Sequence, residues 1–570
     1  MKTITCNLPD SLYDALVERM ETDKASCDHV VSMALSQCLG RPIHTLFQIS
    51  TSAALVEGLY QGAVRVSRLL RHGDFGLGTF IDLDGEMVVL EGVCYRVASN
   101  GAVTNVEGDR LIPYAVVTRF PTSQSLKQIH QTLQAVSVLK PVTKFCAEVA
   151  SPESIGEVMA NAFRAAESDR PGAAYVNLPK DIMEGEARCE ALDVSANPKF
   201  GPCSRESLID AAKIINSAQR PMLLLGLLAS RPENADAVRA FLRKTGMPVV
   251  GTFQAAGTVS ADLFKSFAGR IGQLDNTPGD ELLATADVII TVGYDPVEYD
   301  PSIWNHSRSA RIIHVDSTRA DVDNFYSPAV EILGDIAASL TCLAELLSPL
   351  VLAPDVERFL STLASRRSLR IEDADRYTEN PIHPLRIVAE LQKWLADDVT
   401  LCLDMGSFHL WIAHFLFSFR ARQMLISNGQ QTLGVALPWG IASCLVRPNE
   451  KTLSISGDGG FLFSAMELET AVRLRLNLVH MVWINGTYDM VAVQEQPKYK
   501  RTSGIDFGPV DVVKYAEAFG AAGFMVDAPG QIGPTLKKAF EIPGPVLIGI
   551  RVDYRDNHKL FEKVHEHLLN

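Results

Sequence analysis

The sequence predicts an α/β protein: parallel sheets covered by helices over most of the chain, preceded by a β-rich N-terminal segment. Three observations lead there. At 570 residues the chain is too long for one hydrophobic core, and at about 150 residues per domain it calls for three or four. From about residue 125 onward, near-continuous apolar runs alternate with helical patterns, as expected of parallel strands buried on both faces. Before that point, apolar runs are separated by aspartate-glycine and asparagine-glycine turns, which favour hairpins.

Composition excludes several classes. Hydrophobic residues make up 47% and charged residues 21%, with a mean hydropathy of +0.09, which rules out a wholly disordered or fibrous chain. Lys and Arg total 53 against 67 Asp and Glu, a net charge of -14, so no nucleic acid partner is expected. The apolar stretch Met222 to Leu228 is broken at Gly226 and falls far short of the roughly 18 residues of a membrane span, so no membrane partner is expected either. The start, Met1-Lys2-Thr3-Ile4, lacks a secretory apolar region, and the expectation is a cytoplasmic protein. Ten cysteines lie scattered without a C-x-x-C pair and read as reduced and structural. His565-Glu566-His567 has no third ligand nearby and belongs to a charged terminal helix, Phe561 to Leu569.

In chain order, residues 1–44 form a strand-helix-helix leader. Over residues 1–40, six acids against three basic side chains (Lys2, Arg19 and Lys24) argue for a packing or dimerising segment rather than a DNA-binding one. Residues 45–122 are the β-rich segment, containing His72 to Phe80 and Leu83-Asp84-Gly85-Glu86. Then come a helix at Ile155 to Ala166, strands at Ala174 to Leu178 and Met222 to Leu227, a helix at Ala235 to Lys244, and strands at Val288 to Val292 and Ile312 to Val315. A polar helical linker near Arg366 to Asn380 precedes strands at Thr400 to Leu403, Met424 to Ser427, Thr452 to Ser456, Val479 to Ile484 and Val546 to Val552.

The chemistry concentrates at Gly457-Asp458-Gly459-Gly460-Phe461, between the strand Thr452 to Ser456 and an expected helix at Ser464 to Leu476. Glycines in such a turn let the backbone approach an anion, and free amide groups suit a phosphate. Asp458 adds an anionic oxygen suited to Mg2+. A helix and a return strand ending at Trp483-Ile484 are the length needed to bring Asn485 back beside Asp458, since ligands gather at the carboxyl ends of parallel strands. A diphosphate-Mg2+ site is expected.

This motif, with its spaced asparagine, resembles the signature of thiamine diphosphate enzymes. The resemblance implies Asp458, Asn485 and the carbonyl of Thr487 as Mg2+ ligands, with the Gly459 and Gly460 amides on the diphosphate. It also assigns cofactor contacts to Gly406, Ser407, Phe408, Gln431, Leu433, Gly457 and Tyr488. One departure is Gly486, where the family usually has a second asparagine.

Four segments, Asp404 to Trp411, Ile426 to Trp439, Met466 to Ala471 and Val552 to Asn557, resemble the catabolic, FAD-independent acetolactate synthases, a likeness running from about Lys127 to the C-terminus. It implies that two pyruvate molecules condense, with loss of CO2, to 2-acetolactate. Leu433 stands where the family places a bulky residue under the cofactor, often methionine, and is similar in volume. Met490 and Val491 are expected as walls of the substrate side and Gln494 as its polar contact, against an alternative of ordinary helix packing. Residues 200–345 resemble the family's central Rossmann-like domain and 380–555 its diphosphate-binding domain. Leu225-Gly226-Leu227-Leu228 carries no G-x-G-x-x-G, so neither NAD nor FAD is expected.

Residues 123–190 resemble only the last portion of the family's pyrimidine-binding domain, without the strands that carry its cofactor-activating glutamate. In their place, about residues 45–120 resemble the N-terminal part of acetolactate decarboxylase, with Glu86 as the candidate retained acid and without that family's zinc-binding histidines. The chain thus reads as two truncated neighbours joined near Thr122 to Leu126. Three readings follow: a carboligase impaired alone or completed by an intact synthase subunit, as a homo- or hetero-oligomer; an acetolactate decarboxylase; or a non-catalytic fusion that binds the cofactor or a partner subunit.

Overall fold

A computed structural model describes residues 133–168, 170–188, 192, 200–272, 277–395 and 398–560, plus five short strands between residues 80 and 117. The leader 1–44, Glu86 and the terminal segment 561–570 lie outside the described residues. The chain divides into two compact units, 1–198 and 199–570.

The first unit is built on one mixed sheet. Its strands are β1 (Phe80–Ile81), β2 (Val88–Leu90), β3 (Val93–Val97), β4 (Val103–Thr104), β5 (Tyr114–Val117), β6 (Phe145–Glu148) and β7 (Ala174–Leu178). The order is β1-β2-β3-β5-β7-β6, with β4 on β3. Pairing is antiparallel from β1 to β5, in keeping with the hairpins expected there, and parallel for β5 with β7 and β7 with β6. The helix Ile155–Glu167 lays Ile155, Met159, Ala162, Phe163 and Ala166 against Val176 and Leu178.

The second unit carries two six-stranded parallel sheets. The first has the order β10-β9-β8-β11-β12-β13, from β8 (Pro221–Leu225), β9 (Val249–Thr252), β10 (Phe267–Ile271), β11 (Val288–Val292), β12 (Arg311–Asp316) and β13 (Pro328–Leu333). The second has the order β15-β14-β16-β17-β19-β18, from β14 (Val399–Leu403), β15 (Met424–Ile426), β16 (Lys451–Gly457), β17 (Leu478–Ile484), β18 (Ala522–Val526) and β19 (Val546–Arg551). β8, β11 and β14 are buried along their whole length, as expected for strands covered on both faces. Among the described residues, no helix is long and apolar enough to cross a membrane.

Two expectations need correction. The helix expected at Ser464 to Leu476 starts earlier, as α1 (Asp458–Ser464) directly after β16, then passes through a 3-10 turn to α2 (Leu468–Arg473). Gly459 and Gly460 therefore lie inside a helix rather than in a loop. The helical linker near Arg366 is in its first part the end of a longer helix, Pro354–Asp373.

The two sheets of this unit are locked together by polar contacts to chain ends. Buried Arg270 on β10 donates to the carbonyls of Ala413 (2.7 Å) and Leu416 (2.6 Å), which close the helix Ser407–Phe415. Arg239 donates to Gly257, Thr258 and, across the seam, Phe419. Gly257 adopts φ +86°, and a Cβ there would sit 1.9 Å from the carbonyl oxygen of Arg420. Gly257→Ala is expected to lower stability by about 2–4 kcal/mol, read as an earlier urea midpoint at unchanged slope.

Candidate functional site

The register of the second sheet builds the site. β16 pairs with β17 so that Gly457 lies opposite Trp483. His480 fixes that register from inside, with Nδ1 2.7 Å from Ser454 Oγ and Nε2 2.9 Å from Ser456 Oγ, its ring stacked on Phe461. Burial pushes this histidine down to about 3, so it is a neutral hydrogen-bonding peg. The residues that follow the two strands thus emerge side by side at the carboxyl edge, next to the point where strand order reverses between β14 and β16.

There the Asp458 carboxylate collects three backbone amides. Oδ1 accepts from Gly459 (3.0 Å); Oδ2 accepts from Asn485 (2.9 Å) and Gly486 (2.7 Å). Burial raises its pKa while these donors pull the other way. Gly459 is required by contact: a Cβ would stand 2.5 Å from the ring of Tyr488, which covers the turn. Asn485 and Asp458 are neighbours as expected, through the backbone amide of Asn485.

Asp404, after β14, anchors the facing loop. It accepts from the amides of Met405 (2.8 Å) and Gly434 (3.0 Å), which fixes the backbone next to Leu433. Gly406 then opens the helix Ser407–Phe415.

These elements surround a cavity of about 210 Å3. Gly406, Ser407 and Phe408 line one side and Gln431 and Leu433 another. The turn contributes Gly457, Asp458, Gly459 and Gly460, and the end of β17 contributes Asn485, Thr487 and Tyr488. Met490, Val491 and Gln494 reach the same cavity from α3 (Asp489–Tyr499). Of the candidate catalytic and cofactor-binding residues read from the sequence, Glu86 lies outside the described residues. No residue of α3 is fully buried: Val491 is 45% exposed, whereas Met490 is half-buried and packs against the core.

Sequence reasoning did not assign Met405, His409, Asp489 and Tyr554, which also line the cavity. Met405, His409 and Tyr554 lie within segments singled out by resemblance, and Asp489 directly precedes Met490 in the stretch expected to line the substrate side, yet no spacing rule marks them. Buried His409 lies edge-on to Phe253; among the described residues neither ring nitrogen has a hydrogen-bond partner, and burial pushes its pKa down to about 3.

The glycine-rich turn and the neighbouring backbone amides at this cavity could hold a phosphate-bearing group. Among the described residues, no group of three or more His, Cys, Asp or Glu side chains could hold a metal ion. The Asp458 carboxylate is held by backbone amides, Asn485 and Thr487 line the cavity beside it, and the Thr487 carbonyl accepts from the Asp489 amide at 2.9 Å. The buried Thr487 hydroxyl has no partner among the described residues.

Comparison with known proteins agrees. A family model described as the thiamine pyrophosphate enzyme C-terminal TPP binding domain matches residues 404–550, and that of the central domain matches 208–343. The chain is 45% identical over 473 residues to the "Acetolactate synthase, catabolic" of Raoultella terrigena, spanning 83% of this chain and 84% of that protein. The chain belongs to the acetolactate synthase family. The "Acetolactate synthase" of Bacillus subtilis (strain 168) is 42% identical over 485 residues, 85% of each chain. The large subunit of isozyme 1 from Escherichia coli (strain K12) is 28% identical over 477 residues, 81% of this chain and 82% of that one. A model described as alpha-acetolactate decarboxylase matches residues 46–149.

Within this acetolactate synthase-family site, Asp404 makes a pH test. Burial pushes its carboxyl up to about 6, outweighing the amide donors. The folded state then holds a proton that the unfolded state releases near pH 4, so this group's contribution to stability declines as pH rises from about 4 through about 6. The stability advantage of wild type over Asp404→Asn is expected to shrink by roughly 2–3 kcal/mol between pH 4 and pH 7, measured by urea unfolding.

Proposed function

We propose that the chain is a cytoplasmic, thiamine diphosphate- and Mg2+-dependent acetolactate synthase-like carboligase that condenses two pyruvates to 2-acetolactate and CO2. One observation carries this reading: the Asp458 turn and the end of β17 converge on the cavity that Leu433, Met490, Val491 and Gln494 also line. In this reading Mg2+ is held by the Asp458 carboxylate, the Asn485 side chain and the Thr487 carbonyl, and the Gly459 and Gly460 amides meet the diphosphate. Thiamine diphosphate, when bound, supplies the carbon nucleophile and the electron sink for loss of CO2.

The chain's own residues do the rest. Leu433 supports the cofactor's bent form, backed by the amide contacts of Asp404. Met490 and Val491 present apolar surface that excludes water from the reacting carbons, and Gln494 offers an amide to a pyruvate oxygen. Ser407 and Tyr488 also line the cavity.

The site is completed by another subunit, in a homo-oligomer or with an intact synthase subunit that supplies the pyrimidine-domain glutamate; alone, the chain is impaired. Exposed Phe463 (57%) and Met466 (62%) support this, because Phe463 abuts Gly434 at the cavity's edge and offers apolar surface to a partner. The decarboxylase model match favours a second reading, a lyase releasing acetoin from 2-acetolactate with Glu86 as its acid.

Calorimetry of the full chain with thiamine diphosphate and Mg2+ is expected to show binding that Asp458→Ala abolishes; absence of heat in both proteins overturns the assignment. Acetolactate formation from pyruvate should rise above the sum of the parts when an intact synthase is added. Acetoin release from supplied acetolactate, with Zn2+ present, should be nil, and its appearance would move the assignment to the lyase.

A further inference from the structure

A chain of side-chain hydrogen bonds that the proposed reaction does not use runs along the rim of the cavity. Ser407, first residue of the helix Ser407–Phe415, donates its hydroxyl to Asp489 Oδ2. Asn557 Nδ2 donates to the same oxygen, and Asn557 Oδ1 accepts from the indole of buried Trp411 at 2.6 Å. Asp489 is the first residue of α3. Tyr554, three residues before Asn557, lines the cavity with Asp489 and is half-buried.

The connectivity is specific. α3 has no fully buried residue; Met490 packs half-buried against the core, and polar contacts hold the start of the helix. Its first residue is tied to Ser407 of the helix Ser407–Phe415, and to Asn557 of a C-terminal segment that the same helix also contacts. That segment is held by Trp411 and by the bridge of Val552 to Ile382. A carboxylate suits the junction because one of its oxygens accepts from a hydroxyl and an amide at once, and charge-assisted bonds are the stronger kind.

We propose that Asp489 is a positioning residue for the proposed carboligation: it clamps the wall bearing Met490, Val491 and Gln494 to the wall bearing Gly406, Ser407 and Phe408, and so sets the width of the substrate space between them. The inference rests on the carboligase reading of this cavity. It predicts that Asp489 governs the pyruvate side rather than cofactor affinity, since Asp458 and its amide contacts remain intact without it.

The test compares wild type, Asp489→Ala, Asp489→Asn and Asp458→Ala as full chains with thiamine diphosphate and Mg2+. For Asp489→Ala, amide hydrogen exchange over residues 407–411 and 489–495 should quicken together by about tenfold or more while β16 and β17 stay protected. Its cofactor dissociation constant should stay within about threefold of wild type. KM for pyruvate, assayed with an intact synthase present, should rise by about tenfold with kcat changed less than about threefold. Asp489→Asn, which keeps an acceptor oxygen, should recover most of the exchange protection and of the KM. Unchanged exchange at either segment, or cofactor loss as severe as in Asp458→Ala, overturns the proposal. If wild type binds no cofactor, the carboligase reading falls, and the exchange arm still decides whether Asp489 couples the two walls.

Discussion

The Asp458 carboxylate is the constraint on which the site depends. It stands at the end of one central strand and collects amides from its own turn and from the end of the neighbouring strand. Two loops that would otherwise diverge are thereby held on one small anion. The arrangement costs desolvation, seen in the raised pKa, and three converging donors offset it. A carboxylate so placed is constrained before any ligand arrives, which reduces the ordering needed on binding. The neutral His480 peg and the Gly457–Trp483 register stand behind it, so the accuracy of the turn is inherited from the sheet.

The second unit shows how a rigid frame carries such a site. Arg270 and Arg239 spend their donors on carbonyls at element ends across the seam between the two sheets, and Gln254 and Asn428 add side-chain contacts to Ile426 and Glu298. Buried backbone oxygens left unpaired would each cost free energy, so these contacts fix the relative placement of the sheets rather than merely decorating the seam. The helix that Arg270 closes is the one that opens at Gly406 on the cavity wall, so the central sheet bears directly on the geometry of the cofactor side.

Much of this was legible in the sequence, for physical reasons. Strands such as Val288 to Val292 and Val479 to Ile484 are continuous apolar runs with one sensible burial, and they occur within a residue of where the pattern put them. Strands β9, β10, β13 and β18 passed unnoticed because each is short and holds a glycine or a proline that weakens the pattern. The helix after Gly457 was expected too late because glycines argue against helix on propensity, whereas here Gly459 is demanded by the Tyr488 ring above it. The cavity residues were reached through motif and resemblance. Asp489 and Tyr554 escaped because their importance lies in partners 82 and 68 positions away along the chain for Asp489, and such pairings leave no periodic trace.

The mixed sheet of the first unit bears on how this polypeptide can be taken apart. The stretch matched by the decarboxylase model, 46–149, contributes both β5 and β6, yet the strand lying between them is β7, which comes later in the chain. Neither piece therefore owns a closed layer. Cutting the gene at the C-terminal end of the matched stretch, near residue 149, would strip β7 from its neighbours and leave raw ladder edges on both products. The sheet is shared along the chain: β7 pairs with both β5 and β6, so this unit is to be expressed, purified and denatured as a whole.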